Sequence, residues 1–125
     1  MCAAAKWWII WCAPMARYAH LLIFQKAYDL TLRFFRETHA FPREHKYSLG
    51  QQMKDTCLAL LDALIAANDA TDKSAALQAA SARLERLRIY TRLAYDLKVI
   101  SMHKYEVLSK HSDEVGRMLG GWIKS

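Results

Sequence analysis

Seven basic side chains, in two stretches of the sequence, are the residues best suited to chemistry, and that chemistry is phosphate binding. A guanidinium group donates two parallel hydrogen bonds to a phosphate, and an ammonium group binds phosphate as a point charge. Such contacts supply much of the affinity of proteins for nucleic acids. The sequence therefore predicts that this chain binds RNA or DNA. The predicted contact residues are Arg83, Arg86, Arg88, Arg92, Lys26, Arg33 and Arg36.

The sequence also offers an alternative role for two of these arginines. Glu85 precedes Arg88 by three residues, and Asp96 follows Arg92 by four. Both spacings place opposite charges side by side on a helix, so these arginines would stabilise their own helix instead of contacting a partner. The sequence has no aromatic RNA-recognition motif and no helix-turn-helix pattern. We therefore expect contacts with the nucleic-acid backbone and weak sequence specificity.

The sequence contains no motif typical of catalysis or of metal binding. A di-iron centre in a helical bundle uses Glu-x-x-His pairs, and no glutamate here is followed by a histidine three residues later. The sequence shows no glycine-rich phosphate loop and no recognisable nucleophile motif. We therefore expect a protein that is not an enzyme and that uses no cofactor and no metal.

The composition favours one domain made of long helices. Of the 125 residues 54% are hydrophobic, and only four are Gly and two are Pro, so the chain has enough apolar side chains for a core and few helix breakers. The formal charge of +6 favours acidic partners. The three cysteines have no CxxC spacing, which indicates a reduced, cytoplasmic protein with Cys57 as a small core residue.

Residues 1–14 differ from the rest of the chain. A short apolar run at residues 7–11 follows Lys6, and it is well below the ~20 residues that a membrane-spanning helix needs. We therefore expect no membrane partner. We interpret residues 1–14 as an N-terminal extension that is either not native or upstream of a true start at Met15. Alternatively, this segment packs on another subunit. Residues 15–125 are expected to form the domain.

Apolar residues at spacings of three and four predict four helices. Their approximate ranges are 19–39, 48–67, 74–100 and 104–123. The first helix is expected to bury a stripe made of Phe24, Tyr28, Thr31 and Phe35. Pro42 should end it, and Ser48 is expected to cap the second helix. Short connections favour antiparallel neighbours, so the predicted fold is an all-α, up-and-down four-helix bundle.

The third predicted helix has a second apolar face, formed by Ala82, Ile89, Leu93 and Ile100. A helix in an isolated bundle needs only one apolar stripe. We therefore predict that Ile89, Leu93 and Ile100 lie at an interface between subunits; the alternative is one wide stripe facing the core. In the last helix, Gly116 and Gly120 lie one turn apart. They indicate either the close approach of a neighbouring backbone or a weak C-terminal turn.

The segment from Met15 to Ser125 resembles a bacterial family of four-helix bundles. The family includes proteins encoded in intervening sequences of 23S ribosomal RNA genes. It also includes the accessory variability determinant (Avd) proteins of diversity-generating retroelements. The resembling segments are residues 24–30 (FQKAYDL), 41–44 (FPRE), 47–52 (YSLGQQ) and 115–123 (VGRMLGGWI).

This resemblance implies a homopentameric ring with a positively charged surface. In the Avd branch such a surface binds nucleic acid and a reverse transcriptase. Arginines of the third family helix resemble Arg88 and Arg92, which lie in the segment LRIYTRL at residues 87–93. The leading hypothesis is therefore a nucleic-acid-binding homopentamer, with RNA as the favoured ligand. The alternative is a protein-interaction scaffold, such as an adaptor for a reverse transcriptase.

Overall fold

The computed structural model of the chain describes residues 18–124, with side chains from residue 22 onward. Four long helices and one single-turn helix make up this part of the chain, and it contains no β-strand. The helices are α1 (Tyr18–His39), α2 (Arg43–Lys46), α3 (Leu49–Asp69), α4 (Ser74–Asp96) and α5 (Met102–Lys124). The predicted extension at residues 1–14 lies outside the described residues.

The four long helices form an antiparallel bundle, as the sequence predicts. Helix α1 packs against α3 and α5, and α4 packs against the same two helices. The connections are too short to cross the length of the bundle, so consecutive helices run in opposite directions. Two ion pairs bridge α1 and α5. Lys26 Nζ lies 2.8 Å from Glu114 Oε1, and Lys104 Nζ lies 3.1 Å from Glu37 Oε1.

One stripe of each long helix faces a common apolar core. Phe24 and Thr31 of the predicted α1 stripe are buried, and Tyr28 is partly buried. Phe35 is 37% exposed, whereas its neighbour Phe34 is fully buried at 0% exposure. The prediction for Phe35 is therefore wrong. Spacings of three and four fit either residue, and the position of α1 against its neighbours decides which one enters the core.

Four buried threonines satisfy their hydroxyl groups within their own helices. Each hydroxyl donates to a backbone carbonyl three or four residues earlier, so the polar atom is not left unpaired in the core. The core can therefore accept these side chains at little cost. The four threonines are Thr31, Thr38, Thr56 and Thr91.

The connection between α1 and α3 folds tightly onto the start of α3. Phe41 is buried, and Pro42 follows the end of α1 and precedes α2. A Cβ atom on Gly50 would lie 3.4 Å from the Phe41 ring and 3.5 Å from the His45 carbonyl oxygen. Ser48 precedes α3 as predicted, but its side chain makes no capping hydrogen bond. Close packing of the connection against Gly50 therefore holds this end of α3.

Helix α4 ends at Asp96, four residues before the predicted end. The Val99 N–H donates to the Ala94 carbonyl, and the Lys98 N–H donates to the Tyr95 carbonyl. These two bonds form a Schellman motif, which terminates a helix through one left-handed residue. That residue is Lys98, with φ of 61°. The position usually holds glycine, so the sequence carries no visible stop signal here.

Replacing Lys98 with glycine is expected to stabilise the protein. A side chain in the left-handed region costs roughly 1–2 kcal/mol, and glycine avoids this cost. The greater freedom of glycine in the unfolded chain offsets part of the gain. We expect the free energy of unfolding to rise by about 0.5–1 kcal/mol in urea denaturation. A decrease would show that the Lys98 side chain makes contacts that outweigh the strain.

Candidate nucleic-acid interface

Arg88 bridges α4 and α5 and is not free to bind a partner. Its guanidinium forms an ion pair with Asp113, and its Nε lies 3.9 Å from the Glu85 carboxylate. Its Nη2 also donates a long hydrogen bond of 3.5 Å to the Ser112 carbonyl. These contacts hold the guanidinium against its own bundle. The predicted pair with Glu85 exists, and the contact with Asp113 adds a link that the sequence did not reveal.

Arg92 is paired within α4. Its Nε donates to both carboxylate oxygens of Asp96, at 3.1 and 3.2 Å. The hydrogen bond to Asp96 is the main cause of the raised pKa of Arg92. The two intrahelical pairs expected under the alternative hypothesis are therefore present. Arg88 and Arg92 were the arginines singled out by the family resemblance, and both already have acidic partners.

Gly116 makes room for the Arg88 side chain. A Cβ atom at this position would lie 2.6 Å from Arg88 Nη2. The close neighbour of this glycine is therefore a side chain of the same chain and not a second backbone. A Cβ atom on Gly120 or Gly121 would meet nothing within 4 Å in the part of the chain that the structure describes. Gly121 is exposed and Gly120 is partly buried, near the end of α5.

Four other predicted contact residues have no ion pair among residues 22–124. Arg33 and Arg36 lie on α1, and Arg83 and Arg86 lie on α4. Three of these side chains are exposed, and Arg83 is partly buried. Charges without a partner in the bundle remain available to a polyanion. The best candidates for phosphate contact are therefore these four arginines, and not Arg88 and Arg92.

Lys26 lies in a groove between α1 and α5, paired with Glu114. The hydrogen bond between them raises the pKa of Lys26 and lowers that of Glu114. Arg33, Arg36 and His111 line the same groove, which encloses about 190 Å³. The structure thus brings all three predicted α1 residues to one groove and adds His111. Sequence analysis missed His111, because only the packing of α5 on α1 places it there.

The predicted interface residues divide into two groups. Ile89 is 66% exposed and Leu93 44% exposed, on the side of α4 that faces away from the core. Ile100 is only 7% exposed, and it lies in the core of a single chain. Its assignment to an exposed face is wrong, because α4 ends before Ile100 and the chain then turns inward.

The exposed face of α4 is longer than the sequence analysis recognised. Ala75, Ala79 and Ala82 are exposed, and they continue the row of Ile89 and Leu93 toward the start of the helix. Arg86 lies in the same row, between Ala82 and Ile89. Successive members of the row are separated alternately by four and by three residues. This is the repeat of a helix that packs against another helix. We call this row the α4 seam.

A second exposed apolar surface lies on α3, and sequence analysis did not identify it. Leu58 and Ile65 are exposed and lie two turns apart, with the exposed carboxylates Asp55 and Asp62 on the same side of α3. We call Leu58 and Ile65 the α3 patch. Helix α3 carries three aspartates and one lysine, whereas α4 carries four arginines and two acidic residues. The two exposed apolar surfaces therefore lie on helices of opposite net charge.

Cysteine and metal-ligating side chains are the other groups that could carry chemistry in the part of the chain that the structure describes. Cys57 is fully buried in the core, as predicted, and this burial raises the pKa of its thiol to about 12. Within residues 18–124, the side chains that are described include no cluster of three metal ligands. None of the helices described is both long enough and apolar enough to cross a bilayer.

A comparison with protein families supports the resemblance seen in the sequence. A family model described as bAvd-like matches residues 21–125. The match includes all four long helices, apart from the first residues of α1. A comparison with curated proteins gave no match. Since the family model covers most of the chain and the fold is the expected helical bundle, the chain belongs to the bAvd-like family.

Proposed function

We propose that this protein is a non-enzymatic, cytoplasmic, homopentameric bundle that binds nucleic acid, with RNA as the favoured ligand. The observation that carries the proposal is the set of arginines without acidic partners in the bundle. Each contacts phosphate through charge and hydrogen bonds, without reading the bases. The set consists of Arg33, Arg36 and Arg83. Arg86 also lacks a partner in one chain, but it lies in the α4 seam, which the ring described below would cover.

Assembly into a ring would let this small set of arginines bind nucleic acid tightly. One chain presents too few phosphate contacts for tight binding, but a ring repeats each contact in every subunit. Each contact releases condensed counterions from the nucleic acid, so affinity falls steeply as salt rises. The net charge of +6 per chain also favours binding, because it increases the rate of encounter with a polyanion.

The α4 seam and the α3 patch support a ring in particular. A closed ring is built from head-to-tail contacts, in which one surface of a subunit meets a different surface of the next. The α4 seam carries Arg86 among its apolar residues, and the α3 patch lies beside Asp55 and Asp62. Apolar and charged groups are therefore complementary between these two surfaces. We propose that the α4 seam of one subunit packs on the α3 patch of its neighbour.

The binding proposal predicts a specific change in salt dependence. We expect the variant Arg33→Gln/Arg36→Gln/Arg83→Gln, which leaves the α4 seam unchanged, to bind a structured RNA at least tenfold more weakly at low salt. The slope of log affinity against log salt should become shallower by about 1 for each phosphate that the variant no longer neutralises. Fluorescence anisotropy titrations between roughly 50 and 200 mM salt measure both quantities.

The variant Arg88→Gln/Arg92→Gln provides the matched control. It also removes guanidinium groups, but these are already paired with carboxylates. We expect its slope to stay close to that of the unchanged protein. An unchanged protein that does not bind at low salt, or whose affinity does not respond to salt, would contradict the proposal.

A protein-interaction scaffold is the second candidate function, for example an adaptor for a reverse transcriptase. It is favoured because Lys26, Arg88 and Arg92 have acidic partners within the bundle, which leaves a smaller basic surface than the sequence suggests. This function predicts a complex with one specific protein that survives nuclease treatment. Loss of the complex after nuclease would favour nucleic-acid binding.

A further inference from the structure

The groove between α1 and α5 concentrates cationic groups around a single histidine. Lys26, Asp29, Arg33 and Arg36 line it from α1, and His111 and Glu114 line it from α5. Lys26 and Glu114 largely neutralise each other at 2.8 Å. Asp29 is then the one remaining carboxylate in the lining, against two guanidinium groups. The lining carries a net charge of +1 when His111 is neutral and +2 when it is protonated.

These surroundings favour the neutral form of the His111 imidazole. Partial burial lowers the pKa of its imidazole, and the neighbouring Arg33 lowers it further. Lys110 and Lys26 act in the same direction, whereas Glu114 opposes them. A bound anion reverses this balance, because it cancels the repulsion from the guanidinium groups and attracts the imidazolium ion.

The donors that line the groove suit a phosphate group. Two arginines three residues apart on one helix turn present several N–H donors to a tetrahedral oxyanion. The imidazole lies on the facing helix and supplies one more N–H donor once it is protonated.

We propose that the α1/α5 groove binds one phosphate group between Arg33, Arg36 and His111, and that His111 takes up a proton when the phosphate binds. Where the phosphate belongs to a nucleic acid, this inference rests on the proposed function. A small phosphodiester presents the same chemistry, and for such a ligand the inference does not depend on the proposed function. Proton uptake makes the affinity increase as pH falls through the pKa of His111.

The test is a pH titration of the His111 ring signals by NMR, assigned with the variant His111→Gln. Three samples are compared: the protein alone, with excess dimethyl phosphate, and with a short single-stranded oligonucleotide. Dimethyl phosphate keeps one negative charge throughout, so only the protein titrates. We expect the pKa of His111 to rise by about 0.5–1 unit with either ligand, equivalent to a roughly three- to tenfold gain in affinity at acidic pH.

Two double variants locate the effect. Arg33→Gln/Arg36→Gln should abolish the rise in the pKa of His111, whereas Arg88→Gln/Arg92→Gln, which removes two guanidinium groups already paired with carboxylates, should leave it intact. If the rise persists in the first variant, the anion binds elsewhere and the inference is overturned.

The two ligands separate this inference from the proposed function. Oligonucleotide binding that leaves the pKa of His111 unchanged would overturn the inference and leave the proposed function standing. A rise with dimethyl phosphate, together with no binding of any oligonucleotide, would support the groove as a phosphate site and contradict the proposed function.

Discussion

Replacing Phe34 with alanine is expected to lower the free energy of unfolding by about 3–5 kcal/mol. Phe34 is fully buried among side chains of the four-helix core. The substitution removes the transfer free energy of the ring and leaves a cavity that helices tied by short connections cannot close. Such a loss is a large fraction of the stability of an ordinary domain. Urea denaturation followed by circular dichroism measures it.

Phe35 provides a control of the same residue type in the adjacent position. Its ring is 37% exposed, and Lys54 Nζ lies 5.8 Å from the ring centroid. We expect Phe35→Ala to cost about 1–2 kcal/mol, since the ring is only partly buried and its removal leaves no closed cavity. Equal effects of the two substitutions would mean that α1 is rotated relative to the structure described above.

Replacing Leu93 with aspartate is expected to dissociate the proposed ring into folded single chains. Leu93 lies in the α4 seam and is 44% exposed in the isolated chain, so the substitution leaves the core intact. In the ring it would bury a charge without a partner, which costs several kcal/mol at each interface. Light scattering should show a fall from about five times the chain mass of 14.4 kDa to a single chain.

Leu58→Asp in the α3 patch should produce the same dissociation if the ring is built head to tail. A mixture of the two variants then distinguishes the geometry. Each Leu93→Asp chain keeps an intact α3 patch, and each Leu58→Asp chain keeps an intact α4 seam. One good interface is therefore available, and we expect a heterodimer of about twice the chain mass.

Leu87→Asp controls for loss of the fold, because Leu87 is fully buried in α4. It should unfold the chain and remove the helical circular dichroism signal, whereas Leu93→Asp should preserve that signal. The unchanged protein running as a monomer would contradict the ring. Two variants that stay monomeric when mixed would contradict the pairing of α4 with α3.

The helices and the bundle could be predicted because they depend on local chemistry. Apolar residues recur every three or four positions, and Pro42 interrupts the pattern. The end of α4 could not be predicted in this way. Lys98 adopts the left-handed conformation that glycine usually supplies, and only the packing of residues 94–100 onto the bundle selects it. The prediction for Ile100 was wrong for the same reason.

The choice between two uses of the arginines also could not be made from the sequence. Both the phosphate contact and the intrahelical pair were compatible with Arg88 and Glu85 at their spacing. The structure brings Asp113 of α5 to Arg88 from a distant part of the chain. A carboxylate at that distance in the sequence has no periodic relation to the arginine, so no pattern could reveal it.

The order of residues alone specifies the helical class, the bundle, the basic character and the family, because periodicity, charge and motif spacing are properties of that order. Helix packing selects which charges remain free. It pairs Arg88 and Lys26 with carboxylates of α5, leaves Arg33, Arg36, Arg83 and Arg86 without such partners in the bundle, and places His111 beside Arg33 and Arg36. The physical reason is that electrostatic interactions depend on distance in space, and the packing of the helices sets those distances.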